Sequence, residues 1–219
     1  MNGPADPLLL HGYWRSTASY RVRIALNHKR VAYAHATHDL RVGDHKADAY
    51  RALNPQALVP ALQVPDAVLN QSSAIIEWLE DRYPDPPLLP RGADDRAIVR
   101  AMAGIIGCDI HPLNNLRVLR AIQSDFGADA DQTGGWIARW IGEGFTALEA
   151  MIARHGGTYA FGDAPTIADV YLVPQVYSAD RFAVDLSAWP CLMRAASAAR
   201  FLPAFAAADP AVQPDADPA

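Results

Sequence analysis

Four of the seven residues in Pro84-Asp85-Pro86-Pro87-Leu88-Leu89-Pro90 are proline, and no regular element passes through such a run. Each proline lacks a backbone N–H, and its ring drives the preceding residue out of the α region, so neither a helix nor a central strand continues across it. The run reads as a stiff linker over 84–93. It divides the chain into a part of mixed character, 7–83, and a part that reads as helix throughout, 94–208. The tail over 209–219 is rich in Pro, Asp and Ala and reads as frayed.

Before the linker, Leu8–Tyr13 and Val31–Thr37 read as strands flanking a helix over Ser19–His28. A connection of that length favours a parallel pair with a right-handed crossover. Asp44–Leu53 reads as a short irregular helix closed by Asn54-Pro55. Ala57–Leu62 is an apolar strand containing a proline, and Ala67–Asn70 follows closely enough to make an antiparallel hairpin. Gln71-Ser72-Ser73 caps a helix through Tyr83, with Ile75, Ile76, Leu79 and Glu80 spaced to give one apolar and one wet face. After the linker, Asp94–Asp109 and Leu113–Asp125 read as two helices or as one helix kinked at Pro112. Gly134–Ala153 carries Trp136, Ile137, Trp140, Ile141, Phe145, Leu148 and Ile152 as a core stripe. Thr166 and Asp169 form a capping box at the start of another helix. Ala188–Ala208 is a final helical region interrupted at Pro203. The fold class expected is α/β followed by all-α.

Composition narrows the function. The hydrophobic share of 51% with 20% charged residues is globular. A net charge of −5, without a Lys/Arg run, argues against nucleic acid as a partner. No run of about 18 apolar residues and no cleavable leader is apparent, so the expected setting is cytoplasmic with no membrane partner. The two cysteines, Cys108 and Cys191, form no CxxC. Neither a disulfide framework, a metal site nor a redox pair is expected, and both read as buried small apolar residues.

Chemistry concentrates in Trp14–Leu26. An apolar strand runs through small hydroxyl residues into a helix, and Ser16, Thr17 and Ser19 are all good caps. Free backbone N–H groups and the positive end of the helix dipole then lie beside hydroxyls, a place that attracts an anion.

The segment Arg15-Ser16-Thr17-Ala18-Ser19-Tyr20-Arg21-Val22-Arg23-Ile24-Ala25-Leu26 resembles the signature of the zeta class of glutathione transferases, the maleylacetoacetate and maleylpyruvate isomerases. Ala52-Leu53-Asn54-Pro55-Gln56, Val59-Pro60-Ala61-Leu62, Gln71 to Leu79, Asp109 to Arg117 and Phe161 to Phe182 extend the likeness along nearly the whole chain. The resemblance implies a thioredoxin-like N-terminal domain that binds glutathione, an all-helical substrate domain, and a homodimer. Many zeta members carry Ser-Ser-Cys where this chain has Ser16-Thr17-Ala18. A protein thiol is thus absent at this site, and the nucleophile has to come from glutathione.

By the same resemblance, Ser16 is the residue nearest the sulfur, helped by backbone N–H groups near Thr17 and Ala18. Its bland reading is a plain helix cap, and the two roles coexist. Val59-Pro60 is a cis-proline turn presenting the valine backbone to the cysteinyl part of glutathione. Gln71 and Ser72 meet the γ-glutamyl carboxylate, and His45 approaches the glycyl carboxylate unless it is a solvated surface residue. The substrates are dicarboxylic oxo acids, so cations must meet carboxylates, and the planar fork of Arg suits bidentate pairing. Arg15 and Arg181 are the clamps, Arg181 being otherwise an ion-pair partner of Asp180 or Asp185. Asn114 brings an amide to glutathione, while Asn115 and Arg117 are further substrate candidates. Arg21, Arg23 and His111 read as structural. The expected activity is glutathione-dependent cis–trans isomerisation of a maleyl oxo acid in aromatic catabolism. A general or haloacid-processing glutathione transferase, and a non-catalytic binding protein of the same fold, remain as alternatives.

Overall fold

The computed structural model describes residues 8–217, in two compact units: residues 8–87 with 202–217, and residues 88–201. In the first unit the order is β1 (Leu8–Gly12), α1 (Thr17–His28), β2 (Tyr33–Thr37), a 3-10 turn (Asp44–Lys46), α2 (Asp48–Leu53), β3 (Ala61–Val64), β4 (Ala67–Asn70) and α3 (Ser72–Arg82). The sheet runs β2-β1-β3-β4. β1 and β2 are parallel, while β1–β3 and β3–β4 are antiparallel. This is the thioredoxin-like arrangement. The strand expected over 57–62 begins only at Ala61, because Ala57 has φ +53° and the Val59-Pro60 bond is cis. The backbone there forms a turn before pairing starts.

α1 is buried on every side. Residues 17–26 are all buried, Arg21 and Arg23 among them. One flank of α1 packs on α3 and the other on a short helix, α9 (Pro203–Ala206), so the segment 202–217 belongs to the first unit and covers its central helix. Asn27 Nδ2 donates to the Ala204 carbonyl at 3.2 Å, and Arg23 Nε donates to that of Ala208 at 3.0 Å.

Two expectations change here. The tail is not frayed over 209–217: Asp209 caps a 3-10 turn (Pro210–Val212) through the Ala211 N–H. Gln213 also reaches back to the carbonyls of Ala207 and Asp209. Proline-rich chain without hydrophobic periodicity can still be ordered by backbone hydrogen bonds to a packed neighbour. The proline run, likewise, is not a spacer. Lys29 Nζ, buried on Glu80, also donates to the Pro86 carbonyl at 2.7 Å. Leu88 and Leu89 are buried, and the Leu88 carbonyl accepts the Ile167 N–H at 2.8 Å. The division thus falls at 87/88, inside the stretch expected to link.

In the second unit α4 (Ala93–Gly104) widens into a π-helical turn over Ile105–Ile110. A tight turn containing Pro112 leads to α5 (Leu116–Phe126), followed by α6 (Ala130–His155), α7 (Ile167–Arg181) and α8 (Pro190–Arg200). The break between the first two helices is therefore a π segment plus a turn, not a proline kink alone. α6 meets the π segment at Gly144, where a Cβ would stand 2.3 Å from Ile110 Cδ1. α7 is the central helix of this unit. Its capping box is present as expected from Thr166 and Asp169, and burial pushes the Asp169 carboxyl up to about 6 against the pull of its hydrogen bonds. In the α6 stripe Ile137, Ile141, Phe145, Leu148 and Ile152 are core, but Trp136 and Trp140 are only half-buried. The wide indoles sit at the margin, where Trp136 Nε1 donates to the Leu113 carbonyl at 2.9 Å. The cysteines are not core either, Cys108 being exposed and Cys191 half-buried. The expectation for Cys108 rested on residue type, which says nothing of the side a residue faces, and Cys108 falls on the exposed side of the π turn.

Candidate active site

Sheet register brings the candidate residues of the first unit to one rim. His11 of β1 lies opposite Ala36 of β2 and Ala61 of β3, and Ala61 lies opposite Asn70 of β4. The chain therefore leaves β1 into residues 13–16, leaves β2 into the 38–46 loop, enters β3 from Val59-Pro60 and leaves β4 into Gln71-Ser72, all at the same edge. Arg15, Ser16, Thr17, His45, Val59, Pro60, Gln71 and Ser72 gather there. Both α1 and α3 begin at that rim, so their positive dipole ends face it together.

Ser16 is the N-cap of α1, with φ −70° and ψ 118°. Its backbone N–H donates to the Tyr13 carbonyl at 3.0 Å, its carbonyl accepts the Tyr20 N–H at 2.8 Å, and its Oγ accepts the Ser19 N–H at 3.2 Å. These three bonds fix the hydroxyl oxygen while leaving its proton to rotate toward another acceptor. The N–H groups of Thr17 and Ala18 open the helix and have no intrahelical carbonyl. Arg15, half-buried, sits with its guanidinium carbon 5.4 Å from the Trp14 ring centroid.

At α3 the cap differs from expectation. Gln71 holds the cap position at φ +70° and makes no side-chain cap bond, and Ser72 is the first helical residue, 8% exposed. Gln71 Nε2 instead donates to Gln56 Oε1 at 2.6 Å. A helix that begins without a side-chain cap leaves its first-turn N–H groups for an external anion. The Val59-Pro60 turn is held from behind, since Tyr50 Oη and Asn54 Nδ2 both donate to the Leu58 carbonyl at 2.7 Å. His45 is buried in its 3-10 turn, which removes the reading of a solvated surface histidine.

Around the rim sits a histidine group that the sequence reading passed over. His11 Nδ1 and His38 Nε2 are 3.0 Å apart, and the His38 ring packs 4.3 Å from that of Tyr50. Burial lowers the pKa of His11, His35 and His38 alike. Burial thus disfavours a positive charge on these three rings, while the two helix starts and Arg15 favour an anion at the rim. Four of the chain's seven histidines, His11, His35, His38 and His45, fall within the first two strands and the loop after them, and were the available signal.

The second unit holds the other candidates. Asn115 is the N-cap of α5, its Oδ1 accepting the Arg117 N–H at 3.1 Å, and Arg117 is exposed in the first turn. The adjacent Asn114 has both side-chain polar atoms buried without a hydrogen-bond partner. Arg181 ends α7, exposed, its guanidinium carbon 4.6 Å from the Phe182 ring centroid. Asp180 is paired with Arg200 at 3.1 Å, and Asp185 is taken up by Ser187. Among the described residues no cluster could hold a metal ion, and no helix is long and apolar enough to cross a membrane.

Known proteins share this arrangement. Residues 10–87 match the glutathione S-transferase N-terminal domain and residues 134–214 the C-terminal domain. The chain is 50% identical to a maleylacetoacetate isomerase of Pseudomonas aeruginosa, over 94% of this chain and 97% of that one. A solved maleylpyruvate isomerase, a bacterial glutathione S-transferase of the zeta class, is 52% identical with a TM-score of 0.94, covering 95% of this chain and all of that one. A maleylacetoacetate isomerase from Anaeromyxobacter dehalogenans, solved with bound glutathione, is 40% identical with a TM-score of 0.88 over 96% and 98% of the two chains. The rim at the ends of β1, β3 and β4 is thus that of a known fold: the chain belongs to the zeta class of the glutathione transferase family, with the maleylpyruvate and maleylacetoacetate isomerases.

Proposed function

We propose that this chain is a glutathione-dependent isomerase that converts a maleyl oxo acid to its fumaryl isomer in the breakdown of aromatic compounds, acting in the cytoplasm as a homodimer. The observation that carries the reading is the rim itself, where a hydroxyl-capped helix start, a cis Val-Pro turn and a helix start without a side-chain cap meet on one sheet edge. Residues of that kind fit a tripeptide with a thiol in its middle and a carboxylate at either end.

Bound glutathione supplies a thiolate that adds reversibly to the cis alkene, leaving a single bond free to rotate. The protein's task is to hold that sulfur as an anion near pH 7, against a free thiol pKa of about 8.5. A helix start contributes roughly 0.3–1 kcal/mol, less than one pKa unit. A hydrogen bond to a charged acceptor contributes about 1.5–3 kcal/mol, or one to two units. The Ser16 hydroxyl is therefore the larger contributor, with the Thr17 and Ala18 N–H groups beside it. The α3 start at Gln71-Ser72 receives the γ-glutamyl carboxylate, the Val59 backbone holds the cysteinyl part, and Asn114 gives its amide to glutathione. His45 meets the glycyl carboxylate. Arg15 holds the substrate carboxylate next to the alkene, and Arg181 reads the far end with Asn115 and Arg117.

Purified protein with glutathione and maleylpyruvate or maleylacetoacetate should yield the fumaryl isomer of at least one, with no net consumption of glutathione. Stoichiometric glutathione loss with a conjugate as product would establish a transferase instead. Binding without turnover of either acid would leave a non-catalytic binding protein.

A further inference from the structure

Trp14 directly precedes Arg15-Ser16, and both polar groups of its backbone are gripped by residues outside the loop. Its N–H donates to Asp215 Oδ2 at 2.9 Å, and its carbonyl accepts from Arg23 Nη2 at 2.9 Å. Arg23, fully buried in α1, also donates to the Ala208 carbonyl at 3.0 Å. The segment 208–215 thus closes a circuit with the loop, one end bonded to Arg23 and the other to Trp14 itself. Asp217 extends the contact by pairing with Arg41, which Asp39 also holds. Arg41 lies in the 38–46 loop that carries His45, so one short stretch of chain touches both loops flanking the rim.

The bonding of Asp215 is selective. Its second oxygen is buried without a hydrogen-bond partner. It feels the charge of the buried Arg23 guanidinium, and it lies near the His35 ring, whose pKa burial lowers. A half-buried carboxylate with one unfilled oxygen is poorly explained as a stability device, since each unfilled acceptor costs free energy. It is well explained by what its other oxygen does. A backbone N–H two residues before Ser16 has no partner of its own in a loop that must stay open, and the carboxylate fixes it.

We propose that Asp215 is a positioning residue for the glutathione sulfur. By anchoring the Trp14 N–H it sets the angle at which the loop delivers Ser16 to the start of α1, so that the hydroxyl and the first N–H groups of the helix aim at the sulfur together. The inference rests on the reading of Ser16 as the thiolate's donor. The acceptor oxygen is the working part, not the charge, because a negative charge near the rim would by itself disfavour a thiolate.

The test uses the full chain and compares wild type with Asp215→Ala, Asp215→Asn and Ser16→Ala. Two readouts are followed: the pKa of bound glutathione from its thiolate absorbance, and amide hydrogen exchange at Trp14 without ligand. Asp215→Ala is expected to raise the bound-thiol pKa by about half a unit to one unit and the KM for glutathione about five- to tenfold, with kcat at saturating glutathione, measured at a pH above both bound-thiol pKa values, changed less than twofold. Trp14 exchange should quicken at least tenfold. Asp215→Asn keeps an acceptor oxygen and should restore all of these to within about twofold. The proposal is overturned if Asp215→Ala leaves the thiol pKa and KM unchanged while Ser16→Ala shifts them, a result that spares the reading of Ser16. It is also overturned if Asn behaves like Ala, which would make charge the agent. If Ser16→Ala moves nothing, the reading of Ser16 fails and the proposal with it, although quickened Trp14 exchange would still report the anchor.

Discussion

The ion pair beneath the proline run gives the most exacting test of how the first unit is held. Lys29, at the end of α1, buries its ammonium fully on Glu80 of α3, and the same nitrogen donates to the Pro86 carbonyl at 2.7 Å and the Pro84 carbonyl at 3.4 Å. Lys29→Met removes one partner of a buried pair and leaves the Glu80 carboxylate without its countercharge, a loss of about 3–5 kcal/mol. Replacing the whole pair, Lys29→Met with Glu80→Leu, removes both charges, and buried pairs exchanged for apolar residues come out neutral or better. Here the Pro86 carbonyl would still lack its donor, at about 1–3 kcal/mol. The double variant should therefore fall within about 2 kcal/mol of wild type, more stable than Lys29→Met alone. Urea unfolding followed by circular dichroism measures this. With a slope of about 1–3 kcal/mol per molar urea, the single variant's midpoint should drop by more than about 1 M. A single-variant loss below about 1 kcal/mol, or a double variant as damaged as the sum of its parts, would refute the argument.

Arg181→Ala should lower kcat/KM for the maleyl acid about 10- to 100-fold, the worth of a charge-assisted pair, while isothermal titration shows unchanged glutathione affinity; losing both would make Arg181 structural. Asp169 predicts a pH dependence. Its folded pKa near 6 lies above the ordinary value of 3.8, so the stability it contributes is complete below 3.8 and is lost as pH rises through 6. Wild type measured against Asp169→Asn should gain up to about 3 kcal/mol in unfolding free energy between pH 7 and pH 4, and a flat difference would refute the raised value. Gly144→Ala places a methyl 2.3 Å from Ile110 Cδ1 and should cost about 1–3 kcal/mol in thermal unfolding, whereas at Gly142, whose nearest neighbour is 3.9 Å away, Ala should be neutral or slightly stabilising.

Much of this architecture was legible in the residues. Ala67–Asn70 was legible at its observed bounds, because a short apolar stretch between Pro65-Asp66 and the start of the next helix leaves little choice. The capping box at Thr166 and Asp169 was legible because its chemistry is local. The hydroxyl cap at Ser16 was too, although sequence offered Ser16, Thr17 and Ser19 alike and only the backbone angles select one. What was hidden depends on distant chain. Nothing in residues 202–217 shows that they cover α1, since their partners there are the Trp14 N–H on Asp215 and the side chains of Asn27 and the buried Arg23 on the Ala204 and Ala208 carbonyls. The positive φ of Gln71, which gives the cap position of α3 to Gln71 and leaves Ser72 as its first residue, comes from the β4 exit and not from the hydroxyls around it. The π turn over 105–110 escapes a helical period because it is a local widening at the end of a stretch that reads as helix. The convergence of Ser16, Val59 and Ser72 on one rim is a matter of strand register, which no local stretch of sequence contains.

The central claim is that the start of α1 holds the glutathione sulfur as an anion with Ser16 as its principal donor. The direct measurement is the ultraviolet titration of glutathione bound to wild type and to Ser16→Ala. The account predicts a bound-thiol pKa well below the free value of about 8.5 in wild type, and a rise of about one to two units in the variant. A variant that titrates with wild type, or a wild-type complex that titrates like free glutathione, would contradict it.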